Sequence, residues 1–228
     1  MSNNDRILNL NSVCKSYLQG DQKRLVLDNA CLDISEGEII AIVGRSGSGK
    51  STLLNMMSGI DQPDSGEIIV AHQAINQLSE YERTLYRREY MGFVFQFFNL
   101  IPTLSIRENV LLPLELNNSL NTNSIHYVNS LFSSVGLSDR LHHYPDQLSG
   151  GEQQRIAILR AIVHKPKLVF ADEPTGNLDA ETGGEILQIL QKIVQKYKTT
   201  LIMVTHSQDV AKIADRAFSM QHGKLTQL

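Results

Sequence analysis

The sequence predicts an α/β fold in which a largely parallel sheet is preceded by an antiparallel β subdomain and interrupted by an inserted α-helical subdomain. Three observations carry that expectation. Several apolar runs of strand length have no polar face, the N-terminal stretch alternates at period two, and a long middle segment has helical spacing but no convincing strand.

Leu8 and Leu10, then Ala30, Leu32 and Ile34, alternate with polar neighbours across a polar connection near Leu18 to Arg24, which predicts antiparallel strands. Ile39 to Val43 is apolar throughout, as a strand buried on both sides of a parallel sheet must be. Phe93 to Phe95, Leu168 to Ala171 and Leu201 to Val204 are further strands. Helical spacing recurs at Ile125, Val128, Leu131, Phe132 and Val135, stopped by Gly136, and again at Ile186, Leu190, Ile193, Val194 and Tyr197. A third helix is expected from about Glu152 to Val163, ended before Pro166. The resulting division is a single domain over residues 1–228, with 1–96 and 165–228 as the α/β core and its β subdomain, and 97–164 as the helical insertion.

A length of 228 residues exceeds the roughly 150-residue domain norm without reaching two domains, which suits one domain carrying an insertion. The net charge of −3 supplies no basic footprint, so no nucleic acid is expected as a partner. Cys14 and Cys31 lack any metal-binding spacing and are expected to be buried or inert thiols of a reducing cytosol. No apolar run approaches the ~20 residues of a membrane helix, and the opening Met1 to Arg6 lacks the apolar centre of a signal peptide. A soluble, cytoplasmic chain is the expectation.

The strongest chemical signal is Gly44-Arg45-Ser46-Gly47-Ser48-Gly49-Lys50-Ser51, which fits G-x-x-x-x-G-K-[ST] between a buried strand and a helix starting near Ser51. Its glycines let successive N–H groups turn inward on phosphate oxygens, and the helix N-terminus, with Thr52 in its first turn, adds a positive dipole end. Lys50 is placed to bridge the β- and γ-phosphates of ATP, and Ser51 to offer an oxygen to Mg²⁺. The core is therefore expected to be a P-loop NTPase, RecA-like in its sheet.

A second anion site opens the third helix: Leu148-Ser149-Gly150-Gly151-Glu152, followed by Gln153, Gln154 and Arg155. One nucleotide does not need two such sites in one chain. Alone, the pentapeptide would be a serine cap on a glycine turn. With it, however, come Leu168 to Ala171 running into Asp172-Glu173, and Leu201 to Val204 running into Thr205-His206. Together these features resemble the ATP-binding cassette family, along essentially the whole chain and in the family's order: Tyr17, the phosphate loop, Gln96, the LSGGE signature, Asp172-Glu173, Asn177-Leu178-Asp179 and His206.

The resemblance implies roles. Two cassettes pair head to tail, so that Ser149, Gly150, Gly151 and Glu152 of one copy close over ATP held by the other, which accounts for the surplus site. Glu173 is implied as the general base, Asp172 as a Mg²⁺ ligand through water, and His206 as the histidine that contacts the γ-phosphate. Gln96 is implied to sense Mg²⁺ and the lytic water, Tyr17 to stack on adenine, and Asp179 to couple the two sites at the dimer seam. An isolated tyrosine is more often packing, and an isolated glutamine after a strand is usually a turn residue.

The apolar loop Phe97-Phe98-Asn99-Leu100-Ile101-Pro102 reads either as core packing or as a groove for a partner helix. In transporters of this family that region receives the membrane subunit, here necessarily a separate permease that would hold the chain on the cytoplasmic face of a bacterial inner membrane. Gly92 to Gln96, Leu100 to Leu104, Glu108 to Val110 and Ala171 to Asp179 look most like the lipoprotein-release and macrolide-export group, the LolD, MacB and YbbA type, which implies a permease with a large extracytoplasmic domain. Leu159 and Ser207 depart from that pattern, where alanine and aspartate are usual. A cell-division-type cassette and a soluble non-transport cassette remain alternatives. A P-loop kinase or GTPase does not fit, because no Asn-Lys-x-Asp guanine motif is present.

Overall fold

The computed structural model describes residues 6–228, with only the backbone given at 208 and 209. The polar opening segment lies, apart from Arg6, outside the described residues. Strands β1 (Arg6–Gln19) and β2 (Gln22–Ser35) form a long antiparallel hairpin in which Leu8 faces Ile34, Leu10 faces Leu32 and Val13 faces Ala30. The expected connection near 18 to 24 proves to be strand on both sides of a tight turn at Gly20, whose φ of 62° suits glycine. Its extension was hidden because the hairpin tip meets solvent on both faces: Leu18 is 80% exposed.

The fully apolar run is β3 (Ile39–Val43), followed by α1 (Lys50–Met57), the short strands β4 (Ser65–Val70) and β5 (Gln73–Ala74), and then α2 (Glu80–Tyr90) and β6 (Met91–Phe95). Three helices come next, α3 (Ile106–Leu116), α4 (Thr122–Ser134) and α5 (Gly150–Ile162), before β7 (Leu168–Asp172). The chain ends through α6 (Ala180–Tyr197), β8 (Thr200–Thr205), α7 (Gln208–Lys212), β9 (Arg216–Gln221) and β10 (Lys224–Gln227). Four strands make an antiparallel sheet in the order β2-β1-β4-β5. Six make the central sheet, β10-β9-β3-β8-β7-β6, parallel except for β10 at its edge.

Period two explains why β3 has no polar residue. Ile40 and Ile42 pack with Leu53, Met56 and Met57 of α1 and with Leu8, Leu10 and Ile34 of the antiparallel sheet, whereas Ile39 and Ala41 pack on the opposite face with the helices that include α5 and α6. Burying each such side chain contributes roughly 1.5–3 kcal/mol. Ser79, Ser105 and Ser149 start α2, α3 and α5 with the same device, a hydroxyl accepting from the backbone N–H three residues on while that residue's glutamate accepts from the serine's own N–H.

Sequence patterning passed over α2, α3, β4, β9 and β10. Helix α2 is nearly all polar, with Arg83 its one buried residue. Helix α3 carries Pro113 in its interior, against propensity, and is held by its cap and by buried Ile106, Val110, Leu111 and Leu114. Of the two alternatives for the cysteines, buried or inert, burial does not hold: Cys31 is exposed and Cys14 only half-buried. Among the described residues no helix is long and apolar enough to cross a membrane.

Helix α5 lies directly on β6. A Cβ built on Gly92 would sit 2.0 Å from the carbonyl oxygen of Ala161 and 2.9 Å from its carbonyl carbon, both backbone atoms that cannot rotate away. Gly92→Ala is therefore expected to cost about 1–3 kcal/mol or more, read by calorimetry as a melting temperature lower by roughly 2–4 °C per kcal/mol. An unchanged melting temperature would show that α5 can lift from the sheet without loss.

Candidate functional site

Parallel register collects the functional side chains. Val43 pairs with Thr205, Asp172 with Val204, and Phe95 with Asp172, so the strands β3, β8, β7 and β6 end nearly level. The residues leaving those ends, Gly44, His206, Glu173 and Gln96, emerge at the same sheet edge, the edge where such sheets bind ligands.

After Val43 the backbone curls into residues 44–49 and re-enters α1. A side chain at Gly44 would lie 2.6 Å from the carbonyl oxygen of Met220 and 2.7 Å from Ser48 Oγ, and Gly49 holds φ 103° against Val26 and Met220. The loop wraps its own lysine: Lys50 Nζ donates to the carbonyls of Gly44 (2.8 Å) and Arg45 (3.2 Å), and the residue is only 8% exposed. Ser48 Oγ is buried without a hydrogen-bond partner. A buried ammonium hydrogen-bonded to backbone carbonyls, on a loop that also buries an orphaned hydroxyl, suits an anion.

A cleft of about 580 Å³ opens here. Ser46, Gly47, Gly49, Lys50, Ser51 and Thr52 form one wall, and Gln96, Asp172, Glu173 and His206 face them. Arg24 and Val26 complete it from β2. Sequence reasoning missed these last two. They sit two apart on one strand, but which face of the hairpin reaches the loop depends on pairing that alternation does not reveal; Arg24 also approaches the Gly47 carbonyl at 3.5 Å.

Asp172 hydrogen-bonds Ser51, and its carboxyl is pushed above the ordinary range by burial, with Glu173 adding to the rise and Ser51 and Lys50 opposing it. Glu173 has an unusual backbone for its residue type, φ 48°, with its N–H donating to Val204 O at 2.9 Å. Its carboxylate accepts from Thr205 Oγ1 (2.8 Å) and lies 2.9 Å from His206 Nδ1. Gln96 Nε2 donates to Asn177 Oδ1 (3.1 Å), and Asn177 returns a bond to the Gln96 carbonyl (2.9 Å).

Tyr17 stands outside the cleft wall, opposite Arg24 on the hairpin. Its hydroxyl donates to Asp61 Oδ2 at 2.7 Å and contacts Thr52, and Lys15 Nζ lies 5.1 Å from the ring centre. Burial and then Asp61 raise the phenol above its usual value.

The remaining predicted residues form a second cluster away from this cleft. Ser149 caps α5, with its Oγ accepting from Glu152 N (3.3 Å) and Glu152 accepting from Ser149 N (2.8 Å), a bond that holds the Glu152 carboxyl below the usual range. Gly150 abuts Leu178 and Phe98, and a Cβ at Gly151 would strike Thr182 Cγ2 at 2.5 Å. Asp179 caps α6, accepting from Thr182 N (3.0 Å) and Thr182 Oγ1 (2.7 Å). One chain thus carries the open cleft and, apart from it, a capped helix start packed against the start of α6.

A family model described as ABC transporter matches residues 27–176. The chain belongs to the ABC transporter family. It is 47% identical over 223 residues to an uncharacterized ABC transporter ATP-binding protein of Mycobacterium tuberculosis, covering 98% of this chain and 90% of that one. Identity is 43% to the lipoprotein-releasing system ATP-binding protein LolD of Rickettsia bellii, with 99% of both chains covered. Among solved structures, the dimeric post-hydrolysis state of the ATP-binding cassette MJ0796 bound to ADP and Pi superposes with a TM-score of 0.88 at 38% identity over 97% of both chains. This ABC protein is accordingly an ATP-binding, ATP-hydrolysing subunit of the transporter type.

Because burial raises the Asp172 carboxyl, its ionisation costs the nucleotide-free fold stability. That cost is absent below the ordinary value of 3.8 and complete once the pH exceeds the raised one. Asp172→Asn keeps an acceptor for Ser51 and removes the charge. Its melting temperature without nucleotide is expected above the parent's at pH 7 to 8, the difference closing as pH falls toward 4; a lower value at neutral pH would show that the carboxylate is net stabilising.

Proposed function

We propose that this ABC cassette binds Mg²⁺-ATP in the cleft, closes head to tail on a second copy, and uses hydrolysis to drive a separate membrane permease. The observation that carries the reading is the buried Lys50 ammonium, held among carbonyls, with four level strand ends facing it. Lys50 bridges the β- and γ-phosphates while the N–H groups of residues 44–51 surround their oxygens.

The donors present fit a hard cation: Ser51 and Asp172 offer oxygens and share a hydrogen bond, and the Gln96 side chain lines the same cleft. Mg²⁺, when bound, supplies neutralisation of charge on the phosphate oxygens. Ser51 and Asp172 are the residues that would hold it. Glu173 accepts a proton from the attacking water, Gln96 orients that water, and His206, 68% exposed in its side chain, turns to the γ-phosphate to stabilise the transition state. Tyr17 stacks on the adenine, with its ring steadied by Asp61.

The second cluster supports the head-to-tail pairing. Ser149, Gly150 and Gly151, at a helix start that does not line this cleft, meet the γ-phosphate held by the other copy, with Glu152 and Asp179 at the same seam. The solved cassette that superposes on this chain is a dimer bound to ADP and Pi.

For the permease, support comes from the loop after Gln96. Phe97 is 72% exposed, while Arg160 fixes the backbone behind it through Phe98 O (2.8 Å) and Asn99 O (2.5 Å), and buried Asn109 bonds Ile101 N–H (2.8 Å). A rigid loop presenting an exposed aromatic suits a helix arriving from a partner. We take that partner to be a permease with a large extracytoplasmic domain, which would keep this subunit peripheral on the cytoplasmic face of the membrane; one relative is the ATP-binding protein of a lipoprotein-releasing system.

Glu173→Gln is expected to bind ATP, accumulate as a dimer on light scattering, and lose turnover by a factor of roughly 10² or more; a monomer in ATP and Mg²⁺ would refute the pairing. Lys50→Ala is expected to weaken ATP binding in calorimetry. Phe97→Ala is expected to retain ATPase activity of the isolated subunit but recover less permease from detergent-solubilised membranes. Equal recovery would remove this loop from the docking surface.

A further inference from the structure

We infer that Thr205 is a positioning residue that divides the Glu173 carboxylate into one anchored and one working oxygen, an inference resting on Glu173 as the general base. Thr205 ends β8 and is 1% exposed. Its Oγ1 accepts from the Ser207 N–H at 3.0 Å, so the hydroxyl proton is free to be given elsewhere, and Glu173 Oε2 lies 2.8 Å away as its acceptor. Since a carboxylate only accepts, the direction of that bond is fixed. The His206 N–H approaches the same oxygen at 3.4 Å.

The two oxygens thus differ in how they are held. Oε2 is held from inside by the buried Thr205 hydroxyl, which cannot leave without disturbing β8, and the His206 backbone N–H lies just beyond it. Oε1 has the His206 imidazole, 2.9 Å away on a side chain 68% exposed. When His206 turns toward the γ-phosphate, Oε1 is released and Oε2 is not. Terminal carboxylate torsions are broad and two-fold, so a glutamate held at neither oxygen would spread over many orientations; one held at Oε2 presents Oε1 in a single direction. In the chemical step the water oxygen bonds the γ-phosphorus, its proton passes to Oε1, and the bond to the bridging oxygen breaks, with its electron pair leaving on ADP.

Thr205 is itself fixed on its other side. It pairs in register with Val43, and its carbonyl accepts the Gly44 N–H at 3.3 Å. The base and the first residue of the phosphate loop are therefore referenced to the same residue, one through its side chain and the other through its backbone. Only the first link is removed by substitution.

The experiment compares steady-state kinetics of the full-length Thr205→Val and Thr205→Ser proteins. Valine keeps the β-branched shape inside the strand and deletes the hydroxyl, whereas serine keeps it. A hydrogen bond to a charged group sets the expected scale, so Thr205→Val is expected to lower kcat by roughly ten- to a hundred-fold. KM for ATP and calorimetric ATP affinity are expected to stay at parental values, and Thr205→Ser to recover most of the rate. Parental kcat in Thr205→Val overturns the inference. So does a loss that raises KM equally and that serine fails to repair, since that is the mark of disturbed packing. Turnover retained by Glu173→Gln would remove the base assignment and this inference with it, whereas an inactive Glu173→Gln beside a fully active Thr205→Val overturns the positioning role alone.

Discussion

Register between parallel strands is the constraint on which the site depends. Neighbouring strands lie about 4.8 Å apart, and a slip of one residue would turn each side chain to the opposite face of the sheet. Here β3, β8, β7 and β6 are held by cores on both faces, Ile40 and Ile42 on one and Ile39 and Ala41 on the other. Neither core tolerates a one-residue shift, because every apolar position of β3 is already committed. The level alignment of the residues beyond Val43, Thr205, Asp172 and Phe95 thus follows from packing that lies well below the cleft.

At that edge the chain accepts local costs. Asp172 is a carboxylate partly withdrawn from water, Glu173 sits at a positive φ that a glycine would occupy more readily, Ser48 Oγ is buried without a partner, and Lys50 is confined among carbonyls. Each feature is unfavourable or neutral for folding, and all fall within residues 44–51 and 172–173. Strain and unpaired polarity gathered at the end of an otherwise well-buried sheet are what preorganisation for a charged ligand requires.

How much the sequence disclosed depended on whether a feature was local. The phosphate loop, the Ser149 cap and the Asp172-Glu173 strand end are written in consecutive residues, so spacing alone brought them out. The period-two reading of Leu8, Leu10, Ala30, Leu32 and Ile34 also gave the correct pairing, although not the hairpin's true length. What stayed hidden is set by tertiary contact. Arg24 and Val26 join the cleft because of how β2 approaches the loop, Pro113 is tolerated because α3 is buried along its length, and β9 and β10 are ordered by pairing onto β3 and onto each other. Cys31 appeared suited to burial by residue type but faces solvent on the outer side of its strand.

The serine that begins α5 illustrates an economy of a single O–H group. Its oxygen accepts the Glu152 N–H through a lone pair, while the glutamate carboxylate takes the Ser149 N–H and a second hydrogen bond from the serine side chain. Both ends of one dipole therefore serve the helix start: the lone pair receives its N–H, and the hydrogen faces its carboxylate. On the proposed pairing, an anion brought by a second copy would have to compete with the Glu152 carboxylate for that proton, so closure of the dimer would be coupled to a rearrangement of the helix start.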